Sequence, residues 1–135
     1  MPFVLDASIT MTWCFEDEAS PFGEAILDKL TRDRAVVPSI WRLEVSNVLL
    51  VAERRGRLTE FQAGHFLSLL EKLPIQIDDG PRHTTAVLAA GRRHGLSAHD
   101  AAYLVLAVER GIGVATEDAR LRKAVLKAGI PVVLN

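Results

Sequence analysis

The sequence predicts an α/β fold of three layers, with a central, mainly parallel sheet between helices. Two observations predict it. Short apolar runs of strand length recur along the chain, at Phe3-Val4-Leu5, Ala35-Val36-Val37, Ile75-Gln76-Ile77, Val114-Ala115-Thr116 and Pro131-Val132-Val133-Leu134. Helical segments with recognisable starts and stops lie between them, and parallel strands need such crossovers. Strand and helix alternate, with two or three helices inserted twice, so both faces of the sheet are expected to be covered.

Phe3-Val4-Leu5 is three apolar residues followed at once by Asp6. It reads as a buried strand with an acid at its exit. Ile9 to Phe15 leads into Glu16-Asp17-Glu18, a solvated loop or helix end. Ser20-Pro21 is a helix start, Ser as N-cap and Pro at the first turn. That helix is expected to reach about Asp33, with Ala25, Ile26, Leu27 and Leu30 inside. Ala35-Val36-Val37 ends at Pro38, and Ser39 is placed to cap the next helix, which carries Ile40, Leu43, Val48 and Val51 and closes at Arg54-Arg55-Gly56-Arg57. Thr59 with Gln62 is a capping box. The helix it opens carries Phe66, Leu69, Leu70 and Leu73 and stops at Pro74.

Ile75-Gln76-Ile77 alternates and predicts a less buried strand. Asp78-Asp79-Gly80-Pro81 has turn composition. A helix from about Arg82 to His94, with Val87, Leu88 and Gly91, ends at Gly95. Ser97 opens the next, with Ala101, Leu104, Val105 and Val108 inside and breaks at Gly111 and Gly113. The last helix runs from Ala119 to Ala128 and ends at Gly129.

The length of 135 residues fits one domain over 1–135, and 49% hydrophobic residues suffice for one core. Charged residues make up 24% and the net charge is −1, which argues against a strongly basic nucleic-acid-coating protein. It leaves room for a nuclease, because bound cations can supply positive charge where a phosphate lands. The single cysteine, Cys14, excludes an intrachain disulfide and a cysteine-based metal cluster. No run approaches the roughly 20 apolar residues that cross a bilayer. No signal-peptide pattern opens the sequence, so a soluble, cytoplasmic protein is expected, without a membrane partner.

Four acids fall beside or at the ends of these elements. Asp6 leaves the first strand, where it would also suit an N-cap or Asx turn. Glu44 has the mostly apolar helix neighbours Ile40, Trp41, Asn47 and Val48, where a carboxylate is costly unless paired, with Arg42 or Arg55, or bound to metal. Asp100 is spaced from Ser97 like a capping box, and Asp118 would also cap the last helix. Their conjunction points to one carboxylate cluster. Four oxygen donors without cysteine favour a hard cation, Mg2+ or Mn2+. Thr116 and Ser8 are hydroxyl residues placed to touch substrate or a ligand carboxylate.

The residues Val4-Leu5-Asp6-Ala7-Ser8, then Pro38 to Leu49 around Glu44, then Leu96 to Ala107 around Asp100, then Ala115-Thr116-Glu117-Asp118-Ala119-Arg120-Leu121 resemble a PIN domain. More narrowly, they resemble the VapC-type toxin ribonucleases of bacterial toxin–antitoxin pairs. The resemblance spans essentially the whole chain. It implies a parallel sheet, a homodimer, Mg2+- or Mn2+-dependent cleavage of RNA, and inhibition by a cognate antitoxin whose tail lies in the active-site groove, lined by residues 40–73. By position Asp6, Glu44, Asp100 and Asp118 match the family's catalytic and metal-binding acids, and Thr116 its nearby hydroxyl. His99 departs from the pattern, standing where a tyrosine or apolar residue is commoner, and reads as a surface histidine.

Arg42, Arg54, Arg55, Arg92 and Arg93 are candidates to hold RNA. Trp13, Phe15 and Trp41 are candidates to stack bases, though core packing is their default. Two other readings stand beside the nuclease. A phosphatase would use Asp6 as nucleophile, but wants an acid where Ser8 stands. An inactive, protein-binding domain would be expected to lack one or more of the four acids.

Overall fold

The computed structural model describes residues 1–80 and 83–133. Among them the order is β1 (Phe3–Leu5), α1 (Ala7–Thr12), a 3₁₀ turn (Glu16–Glu18), α2 (Pro21–Lys29), β2 (Ala35–Pro38), α3 (Ile40–Arg54), α4 (Glu60–Glu71), β3 (Ile75–Asp78), α5 (Thr84–His94), α6 (Ala98–Arg110), β4 (Val114–Ala115) and α7 (Ala119–Lys127). The four strands form one all-parallel sheet in the order β3-β2-β1-β4, flanked by helices in a three-layer α/β/α arrangement. The strand order reverses beside β1. Such a switch point opens a crevice outside the carboxyl ends of the strands.

β1 is buried along its whole length because strands pair with it on both sides: Val4 lies opposite Val36 and opposite Val114. β3 lies at one edge of the sheet and is less buried, as its alternating sequence predicts. α6 lies across β1, β2 and β4, and α3 packs on β2. Phe3, Val4, Leu5, Ile9, Ile26, Val36, Val37, Leu106, Val114, Leu121 and Val125 are the apolar side chains sealed deepest in this core.

Local signals explain most boundaries. Ser20 accepts from Gly23 N–H at 2.9 Å and starts α2. Thr59 and Gln62 exchange both bonds of the capping box at the head of α4. Gly111 ends α6 in the left-handed region, at φ 63°. Gly113 brings the chain close: a Cβ there would stand 3.0 Å from Pro131 O.

Several expectations need correction. α2 stops at Lys29, short of Asp33, because Leu30 turns the backbone back onto the last helical carbonyls. Ser39 precedes α3 without a side-chain cap bond. α5 starts at Thr84; Pro81, Arg82 and Leu134, named in the expected elements, lie outside the described residues. Pro131-Val132-Val133 forms an isolated parallel bridge between Val114 and Val132. β4 ends at Ala115, and Thr116, expected within the strand, follows it.

The phase of several helices is also shifted. Leu27 and Val108, expected inside, are exposed, and so are Leu43, Leu69 and Leu88, Leu43 to 66%. The buried stripe of α3 is Trp41, Val45, Leu49 and Ala52. Where a helix is apolar on more than one side, its periodicity does not choose the face; contact with the sheet does.

Candidate active site at the carboxyl ends of the strands

Asp6 leaves β1 and is 4% exposed. Its N–H donates to Ala115 O at 3.0 Å, which ties the exits of β1 and β4 together. It occupies the N-cap position of α1, yet its carboxylate caps nothing. Two hydroxyls donate to Oδ2 instead, Ser8 and Thr116, each at 2.7 Å. The Thr116 hydroxyl in turn accepts from Asp118 N–H at 2.9 Å, and Ser8 Oγ accepts from Glu117 N–H at 3.3 Å. Thr116 is fully buried.

Asp118 is the N-cap of α7, its Oδ1 accepting from Leu121 N–H at 3.0 Å. Asp100 sits in the first turn of α6, where its N–H donates to Ser97 Oγ at 3.2 Å. Glu44 is half-buried on α3. Its partner is neither Arg42 nor Arg55: the Tyr103 hydroxyl donates to Oε1 at 2.5 Å.

The acids sense one another. Burial raises the Asp6 carboxyl above the usual range, the Asp118 charge adds to this, and the two hydroxyls oppose it. Burial raises Glu44 first, against the Tyr103 bond, with Asp6 and Asp100 adding repulsion. Asp100 is raised by burial, then by Asp118 and Asp6. The structure thus brings all four predicted acids around one crevice, with Ser8 and Thr116 beneath Asp6. His99 is exposed at its edge, and as a cation would favour the charged forms of Glu44 and Asp100.

Among the described residues no three His, Cys, Asp or Glu side chains close into a ready metal cage, and no Lys or Arg pairs with the four acids. The donor chemistry still fits a hard divalent cation. The side-chain bonds to Asp6, Glu44 and Asp118 each engage one carboxylate oxygen, which leaves lone pairs for an ion.

Sequence reasoning missed the bond of Tyr103 to Glu44. The signal was its place one turn after Asp100, on the same side of α6. The aromatic candidates are committed elsewhere. Trp41 is buried and donates to Thr10 Oγ1 at 3.1 Å, Trp13 donates to Gly23 O at 2.8 Å, and Phe15 lies under Arg57 at 4.2 Å.

A parallel α/β sheet with acids gathered at the exits of its central strands defines a class, that of domains built around an acidic crevice. This chain belongs to the PIN domain family, whose model matches residues 3–126. PIN domains are generally nucleases. Among solved structures the chain is similar to PAE2754 from Pyrobaculum aerophilum, at 22% identity and TM-score 0.70 over 92% of this chain and 87% of that one. It is also similar to FitAcB from Neisseria gonorrhoeae, at 20% identity and TM-score 0.64 over 99% and 97%. No curated protein matches the sequence. No helix among the described residues is long and apolar enough to cross a membrane.

Proposed function

We propose that this single-domain protein is a metal-dependent endoribonuclease, a cytoplasmic toxin of a toxin–antitoxin pair. The observation that carries the reading is Asp6. It is a carboxylate held almost wholly out of water at the switch point of the sheet, faced by three other acids and by no described cation. Burying such a group costs several kcal/mol unless a counter-ion arrives, on the order of the buried-ion penalty.

Asp6, Glu44, Asp100 and Asp118 would hold Mg2+ or Mn2+. When bound, the ion supplies Lewis-acid activation of water and stabilises charge on the phosphate. The chain's own groups do the positioning. Ser8 and Thr116 fix the Asp6 carboxylate in one orientation. Thr116 couples it to the Asp118 backbone, and Tyr103 sets Glu44. The phosphatase alternative loses ground, since Ser8, where a second acid is wanted, donates to Asp6.

A cognate antitoxin and a homodimer complete the reading. Leu43 on α3 and Phe61 on α4, 66% and 81% exposed, support a protein partner on the helices expected to line the groove. Light scattering that shows a monomer at micromolar concentration would remove the dimer.

The experiment is cleavage of a mixed RNA pool with Mn2+, Mg2+ or chelator, comparing wild type with Asp6→Asn and Asp100→Asn. Cleavage by wild type alone, stopped by chelator, is expected. Equal cleavage by all three proteins would overturn the assignment of these acids.

A further inference from the structure

A cleft of about 260 Å³ opens between the C-terminal end of α5 and one face of α7, lined by Arg93, His94, Arg120, Lys123 and Lys127 with no carboxylate among its walls. Arg120, Lys123 and Lys127 follow the spacing that puts three residues on one side of a helix. Among the described residues none of these cations has an ion-pair partner. The chain as a whole carries −1, so the concentration of charge is local.

Helix chemistry accounts for only part of it. Arg93 and Lys127 lie in last turns, where the helix dipole welcomes a cation. Arg120 lies in the first turn of α7, which contains no acid, and there a cation opposes the dipole. Burial first, then the charges of Arg93 and Lys127, depress the His94 imidazole. Glu109 lines the neighbouring groove along α6, which shares Arg93, His94 and Lys127 with the cleft.

The cleft adjoins the crevice. Arg120 follows the N-cap Asp118 by two residues, and Gly95 stands two residues before Ser97, the cap of the helix that presents Asp100. We infer that this cleft is a phosphodiester-binding channel, taking the backbone of an RNA strand as it leaves the acidic crevice. This deepens the nuclease reading and rests on it for the identity of the strand. The acids would repel that backbone unless cations flank them, and these residues supply the flank.

The test is anisotropy of a labelled single-stranded RNA in chelator, titrated with salt. Wild type is compared with Arg120→Ala/Lys123→Ala/Lys127→Ala and with the control Arg32→Ala/Lys72→Ala, whose residues lie near the amino ends of the strands. All five side chains are exposed, and thermal melts verify folding. Losing three phosphate contacts should lower the slope of log affinity against log salt by about 2, and affinity at fixed salt roughly tenfold. The control should keep the wild-type slope. Absence of binding by wild type, an unchanged slope in the triple variant, or an equal loss in the control would overturn the channel. The titration reads binding without cleavage, so it stands or falls separately from the Asp6→Asn cleavage result.

Discussion

The Tyr103 hydroxyl, on a fully buried ring, donates to Glu44 at 2.5 Å and joins α6 to α3 across the crevice. Burial and the Glu44 charge raise the phenol far above its ordinary range, so it remains a donor at any working pH. Tyr103→Phe keeps the ring and removes the bond. It should cost about 1 kcal/mol of stability in chemical denaturation. By freeing Glu44 it should also weaken Mn2+ binding by roughly tenfold in calorimetric titration.

Asp6 predicts a pH dependence. Its folded-state pKa is raised, so the folded chain holds the proton more tightly than the unfolded chain does. Ionisation of Asp6 therefore lowers stability as pH rises through the interval above its ordinary value. In chelator, the stability of Asp6→Asn relative to wild type should increase with pH across that interval. A difference independent of pH would sink this account. Manganese should stabilise wild type and leave the variant nearly unmoved.

Thr116 links two of the acids through one oxygen. Thr116→Val removes a donor from Asp6 and leaves the Asp118 N–H without its acceptor. Denaturation should show a loss of about 1–3 kcal/mol. Metal affinity should fall by roughly 10- to 100-fold, the range for groups that orient ligands. Thr116→Ser should restore most of both, because it returns the hydroxyl.

Gly113→Ala should be destabilising. The added Cβ would press on Pro131 O at 3.0 Å and on Val133 Cγ2 at 3.2 Å, where Val114 N–H bonds Pro131 O and Val133 N–H bonds Val114 O. A loss of about 1–3 kcal/mol is expected, in the range for overpacking. Gly64→Ala meets nothing within 4 Å inside a helix and should be neutral or stabilising in the same melts.

The strands were legible because each is a short apolar run with a marked end, and Asp6, Asp100 and Asp118 were legible because each stands at an element boundary. Ser20, Thr59 and Gly111 do their work within a few residues, so local sequence suffices to place them. Leu43 was not legible: α3 carries apolar residues on several sides, and only the sheet decides which side is covered. Tyr103 and Glu44 lie 59 residues apart, and no local pattern announces a bond at that distance. Arg120 and Arg93 belong to different helices, and their shared cleft exists only after α7 folds against α6.

The sheet order has a consequence for synthesis. Asp6 and Thr116 are 110 residues apart, yet their strands are neighbours. A growing chain exposes its first acid to solvent long before the partner strand has been translated. The crevice is assembled only when nearly all of the sheet is in place, through the slow, long-range pairing that parallel strands require. A ribosome carrying an unfinished copy therefore holds no completed site.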